Sequence, residues 1–228
     1  MRDANKFESE VELARCIVAY FQEQRYEVYQ EVQPWQYGSV ADIVATFGAR
    51  LVIAECKLSL GLAVLQQASD WVGWANMVYV AVPQGARNSN FGFGTKLAVM
   101  LGVGVLAVSH SSYEHDKYSV KEVGKPLFHR HSQQDSFRKI LTERHKTFAE
   151  AGNPLGKRYT PFQATCETLR KQVRLNPGRT MKETVGAINT HYSTPRSAVV
   201  CLSKLIWENQ IDGVRLEKDG RAVRIYPA

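Results

Sequence analysis

Apolar positions recur at helical spacing early in the chain, where Leu13, Ile17, Tyr20 and Phe21 line one side of residues 8–24. Glutamates crowd the first turns, where the helix dipole favours them, so this stretch predicts an amphipathic helix. "YEVYQEV" then reads as a short strand. Residues 40–57 read as a hairpin around Gly48-Ala49, "LAVLQQASDWVGWA" as a helix, and "MVYVAV" as a strand stopped by Pro83. A glycine-rich loop, a helix near 95–101 and the strand "VGVLAV" follow. This order predicts an α/β fold, a mixed sheet flanked by helices. "QDSFRKILTERHKTFAEA" continues as a helix, and "GNPLGKR" has the composition of a linker.

Beyond the linker the pattern changes. Thr160-Pro161 and Thr194-Pro195 are paired start signals for helices, by N-cap and N1 preference. "TMKETVGAIN" predicts a helix between them, and "VRLEKDGRAVRIY" predicts a hairpin about Asp219-Gly220. Three helices and a hairpin are the plan of a small winged-helix-like domain. The expected division is therefore 1–128 for the α/β domain, 129–158 for a connecting helix and linker, and 159–228 for the winged-helix-like domain. In that plan the third helix would present Arg196, Ser197 and Lys204 to a DNA groove, with Arg179 and Lys182 beside it. Lys218 and Arg221 on the wing would meet phosphates. Dimerisation or binding of a protein partner is the alternative use of the same scaffold.

Charge sharpens this division. The chain carries a formal +7, but residues 1–128 hold 11 Lys/Arg against 13 Asp/Glu, and residues 129–228 hold 18 against 9. A near-neutral half joined to a basic half is expected when one module does chemistry and the other grips a polyanion, with DNA the first candidate and RNA open. Composition is that of a globular protein, 44% hydrophobic and 22% charged. The longest apolar run, "LAVMLGVGVLAV", is too short to span a bilayer, and the start "MRDANKFESEVE" lacks an apolar leader, so a cytoplasmic location without membrane association is expected. Cys16, Cys56, Cys166 and Cys201 lie far apart in apolar segments and read as core residues. The pair His129 and His131 lacks companion ligands and reads as a solvated loop.

Within the hairpin, Asp42, Glu55 and Lys57 interrupt two otherwise apolar arms. With Gly48-Ala49 as a two-residue turn, paired residue numbers sum to 97 and Asp42 faces Glu55. Two carboxylates about 5 Å apart repel by roughly 3 kcal/mol at an effective dielectric near 20. A favourable cross-strand pair returns only about 0.2–1 kcal/mol. A divalent cation, Mg²⁺ or Mn²⁺, held by Asp42 and Glu55 would resolve the conflict and suits attack on a phosphodiester. An ion pair of Glu55 with Lys57, with Asp42 at a strand end, is the structural alternative. Glu10 shares the inward face of Leu13 and Ile17, whereas Glu12 falls about 200° away.

Asp42, then Glu55-Cys56-Lys57 on the next strand, with an acidic helix before and Gln67 on the helix after, resembles the PD-(D/E)XK nuclease superfamily. "YEVYQEV", "LVIAECKLSLGLAVLQQASDW", "MVYVAVP" and "LGVGVLAV", in that order, are similar to PD-(D/E)XK phosphodiesterases of bacteria and phages. The resemblance covers most of the chain, and the superfamily's proline before the first aspartate is Ala41 here. It implies a restriction-endonuclease-like sheet, metal ligation by Asp42 and Glu55, a catalytic Lys57, a helix acid at Glu10 and a helix glutamine at Gln67. The function expected is a metal-dependent nuclease, with a DNA-binding regulator or inhibitor on a nuclease-like scaffold as the rival. Cutting both strands of a duplex would be easiest for a homodimer.

Overall fold

The computed structural model describes residues 7–34, 39–84, 89–110, 118–130, 133–152, 159–220 and 222–228. Its contacts divide the chain into two units, Met1–Tyr159 and Thr160–Ala228.

The first unit is built on a six-stranded mixed sheet, β1 (Glu27–Val32), β2 (Ala41–Phe47), β3 (Arg50–Cys56), β4 (Met77–Pro83), β5 (Gly104–His110) and β6 (Tyr118–Gly124), lying in sequence order. β1, β2 and β3 pair antiparallel, β3, β4 and β5 parallel, and β6 returns antiparallel on β5. Both parallel connections run through helices, α2 (Leu62–Asp70) and α3 (Ser89–Met100), as the length of a parallel crossover requires. Because β2 to β5 are covered on both faces, they read as near-continuous apolar runs.

One face packs against α1 (Glu10–Glu23), through Leu13, Ile17 and Phe21 against Ile43, Val52, Ala54 and Cys56. Leu13 and Ile17 are fully buried, each worth about 1.5–3 kcal/mol against exposure. The other face packs Val44, Leu51, Ile53 and Val80 against Val64, Leu65, Ala68 and Trp71 of the α2 segment. Ser9 caps α1, its hydroxyl accepting the Glu12 N–H at 3.2 Å. The hairpin turn is Gly48-Ala49 with Phe47 paired to Arg50, and Gly48 has φ +55°, a conformation open to glycine at the first turn position.

Several elements depart from the pattern. α2 stops at Asp70 rather than running to Ala75, since the chain turns through Gly73 at φ +91°. α3 begins at Ser89, earlier than periodicity indicates, because two glycines dilute its apolar stripe. β6 is an edge strand with mostly exposed side chains and so lacks a strong apolar signal. The helix expected over 134–151 is two single turns, α4 (Asp135–Arg138) and α5 (Arg144–Thr147). Between them the Thr142 N–H donates to the His145 ring Nδ1 at 3.2 Å, a local side-chain bond that competes with helix continuation. Phe137 is fully buried in the core of the first unit.

The second unit runs α6 (Pro161–Leu175), β7 (Arg179–Thr180), α7 (Met181–Gly186), α8 (Pro195–Trp207), β8 (Val214–Asp219) and β9 (Ala222–Pro227), with sheet order β7-β9-β8. Thr160, Thr180 and Thr194 each open a helix with a capping box, closed by Gln163, Glu183 and Ser197. Cys166, Leu169, Val173, Leu202, Ile206 and Ile225 form the centre of its core. Among the described residues, no helix is long and apolar enough to cross a membrane.

Candidate functional site

The hairpin register follows the sum of 97 through Ile43↔Ala54 and Phe47↔Arg50. One step past the last ladder pair stand Asp42 and Glu55. The Cys56 N–H donates to the Asp42 carboxylate, Oδ2, at 2.8 Å, so Asp42 is tied to the opposite strand by a side chain rather than by the ladder. Alternation puts Glu55 between Ala54 and Cys56, whose side chains join the α1 face, and therefore on the α2 face. There it is fully buried, and the Trp71 indole N–H donates to its Oε1 at 2.5 Å. Its other oxygen, Oε2, is buried and given no N–H donor.

Protonation follows from that packing. Burial, followed by the neighbouring Asp42 charge, holds the Glu55 carboxyl well above the usual carboxylate range. Burial also raises Asp42, against the Cys56 N–H and the Lys57 charge, which favour its ionised form. The two carboxyls also hydrogen-bond each other, which lowers Asp42 and raises Glu55 and so favours the proton on Glu55. Cys56, fully buried beside them, is raised well above an ordinary thiol by desolvation and by the charges of Asp42 and Glu55, so it is no nucleophile.

Lys57 lies just beyond the end of β3, its N–H donating to the Ala81 carbonyl at 3.0 Å. Its ammonium pairs with Glu10 rather than Glu55, donating to Oε2 at 2.7 Å. The two side chains are 35% and 29% exposed, which leaves this edge of the site open to solvent. Burial opposes the charge on Lys57, but the Glu10 hydrogen bond and the charges of Asp42, Glu10 and Glu55 outweigh it and raise its pKa. Of the two helix acids weighed from the sequence, Glu12 is engaged elsewhere, accepting the Glu8 N–H at 2.8 Å. Glu10 is the one that reaches Lys57.

Gln67 is half-buried on α2, one turn before Trp71, and its amide makes no hydrogen bond among the described residues. Trp71 is the site residue that sequence reading missed. Its signal was the i,i+4 spacing from Gln67, which puts both on one helix flank. No group of three His, Cys, Asp or Glu gathers among the described residues as a metal site, and Glu10 is paired with Lys57. The pair Asp42 and Glu55 nevertheless fits a hard divalent cation. Its donors are carboxylate oxygens, one of them buried without an N–H donor, and such a cation completes its shell with water.

In the second unit, Arg179, Lys182, Arg196, Lys204 and Lys218 are all exposed. Arg196 and Lys204 lie eight residues apart on α8, with Val200, 62% exposed, between them. Lys204 is 3.8 Å from Glu208. Ser197 belongs to the cap instead, its hydroxyl donating to the Thr194 carbonyl at 2.8 Å. Two further basic residues are neutralised locally: Arg224 pairs with Asp219 at 2.7 Å and Arg215 with Glu217 at 2.8 Å. Arg221 and His131 lie outside the described residues. His129 is half-buried, its Nε2 enclosed without a partner, so it is not the solvated loop residue its sequence context predicts. Cys16, Cys56 and Cys166 are buried and Cys201 half-buried, all as free thiols.

The chain matches no protein-family model, no curated protein and no solved structure.

Proposed function

We propose that the first unit is a divalent-metal-dependent phosphodiesterase of the PD-(D/E)XK nuclease type, and that the second unit binds its DNA substrate as a winged helix. The observation that carries this reading is Glu55: a fully buried carboxyl directly opposite Asp42, its Oε2 given no N–H donor and the two acids hydrogen-bonded to each other. Two buried acids set against each other are costly for structure alone and suit a site that takes a cation.

Asp42 and Glu55 would hold Mg²⁺ or Mn²⁺. Such a cation lowers the pKa of a coordinated water and polarises a phosphoryl oxygen. Within the chain, Trp71 fixes the Glu55 rotamer through Oε1 and leaves Oε2 as donor. The Cys56 N–H does the same for Asp42 through Oδ2. Lys57, held charged by Glu10, orients the attacking water and screens the charge that develops on the phosphoryl oxygens. Gln67 would steady the phosphate or the Lys57 ammonium, a role that rests on the family resemblance.

In the second unit the element order α6-β7-α7-α8-β8-β9 and the sheet order β7-β9-β8 support the winged-helix reading. There α8 is the groove helix and the β8–β9 hairpin the wing. Incubating the protein with plasmid, linear duplex, single-stranded DNA and RNA, in Mg²⁺, Mn²⁺ or chelator, tests the proposal directly. Metal-dependent cleavage is expected, and Lys57→Ala should lose about 100-fold or more in rate, the range of lost electrostatic stabilisation, with DNA affinity retained. A wild type that binds DNA tightly and cuts nothing would favour a regulator on a nuclease-like scaffold.

A further inference from the structure

Glu31 is an anomaly in β1. It is a buried acid, 4% exposed, with φ +51° one residue before the strand ends. The left-handed region is costly for a residue with a side chain and persists only where surrounding contacts over-determine it. The ladder pairs Gln30 with Ile43 and Val32 with Ala41, so the distortion lies opposite Asp42. What it achieves is the aim of two neighbouring side chains at one short segment. The Gly152 N–H donates to Glu31 Oε1 at 3.0 Å, and the Ala151 N–H donates to Gln30 Oε1 at 3.0 Å.

That segment is pressed against the site from its other side. Gly152 has φ +77°, and a Cβ placed on it would stand 2.8 Å from the Glu10 carbonyl carbon and 2.9 Å from the Glu10 Cβ and O. No side chain fits there. Ala151 beside it is fully buried against the α1 face of the sheet. Residues 151–152 therefore fill the space between β1 and the first residue of α1. Glu10 needs such a brace. It opens α1, where helices fray, yet it holds the Lys57 ammonium at 2.7 Å.

We propose that Glu31 and Gly152 are positioning residues, a clamp that fixes Glu10 and through it places Lys57. The inference rests on the phosphodiesterase reading above for what Lys57 does, and on geometry alone for what the clamp holds. Glu31→Ala removes the acceptor, Glu31→Gln keeps a side-chain oxygen in place, and Gly152→Ala forces Glu10 away from the opposite side.

Kinetics on whichever substrate the wild type cuts should show kcat falling about 10- to 100-fold in Glu31→Ala and Gly152→Ala, as expected of a displacement near 1 Å. KM and metal affinity should be unchanged, and Glu31→Gln should stay close to wild type. Uniform loss of kcat, KM and metal affinity, with Glu31→Gln as impaired as Glu31→Ala, would overturn the proposal, as would wild-type kcat in both disruptive variants. Crystal structures of the same variants decide it independently of activity. Loss of the Lys57–Glu10 contact supports the clamp, and its retention overturns it. A wild type that cleaves nothing would defeat the phosphodiesterase reading while the structures still decide the clamp. Should one disruptive variant fail to fold, the other carries the test from the opposite side.

Discussion

At the scale of single residues, the site is a set of unequal acids. Burial raises both Glu55 and Asp42, and the neighbouring Asp42 charge raises Glu55 further, while Glu10 is tied to a lysine at a solvent-open edge. The raised pair has a consequence for stability that runs opposite to the common carboxylate case. Above the unfolded carboxylate range, the folded state binds more protons than the unfolded chain, so the metal-free protein loses stability as pH rises toward the folded pKa values. Thermal melts in chelator should show Tm falling as pH rises above the ordinary carboxylate range, at about 2–4 °C per kcal/mol lost for a chain of this size. Glu55→Gln should flatten that decline, since its amide oxygen can keep the Trp71 bond and its NH₂ has no charge to desolvate. A Tm that rises steadily across the same range in the wild type would contradict the pair's raised pKa.

Much of this residue-scale picture was legible in the sequence. A two-residue turn at Gly48-Ala49 is enough to bring Asp42 and Glu55 level, because strand pairing is discrete. Lys57 was not so readable. Alternation puts it on the face of Glu55, but the strand ends at Cys56, and once outside the ladder the side chain is free to reach Glu10. Glu31 and Gly152 carried no local signal at all, since their contact spans 121 positions in the chain.

Among elements, helix starts were the most legible feature, because N-caps are written in one or two residues. Thr160-Pro161 and Thr194-Pro195 open α6 and α8 as their sequence predicts. Helix ends and weak elements were less so. β6 and β7 bury too little to show a period, and the expected helix over 134–151 breaks where His145 takes the Thr142 N–H. The α8 cap gives a prediction confined to one element. Thr194→Ala should cost about 1 kcal/mol, seen as faster hydrogen exchange in the first turns of α8 by mass spectrometry. Exchange in β2 and β3, which belong to the other unit, should not change. Equal loss of protection in both units would show that their stabilities are coupled, against this expectation.

For the whole molecule, charge is the feature that organises function. The excess of Lys and Arg behind residue 128 divides into +4 over residues 129–159 and +5 over the second unit, where part of it is spent on local pairs at Arg215 and Arg224. Arg196 and Lys218 are exposed and form no ion pair among the described residues. If both meet phosphates, each contributes about 0.9 to the slope of log K against log salt. The double variant Arg196→Ala with Lys218→Ala should then flatten that slope by about two units on duplex DNA, at similar cost for every sequence. An unchanged slope would remove α8 and the β8–β9 hairpin from the interface and turn the second unit toward a protein partner.

The central claim is that Asp42 and Glu55 form a divalent-cation site, and calorimetric titration of the wild type, Asp42→Asn and Glu55→Gln with Mg²⁺ and Mn²⁺ tests it most directly. Binding by the wild type should release protons, and more of them at lower pH, because the cation displaces the proton that the buried pair otherwise holds. Each substitution should abolish that binding. Equal affinity in all three proteins, or no heat from the wild type with either cation, would contradict the account.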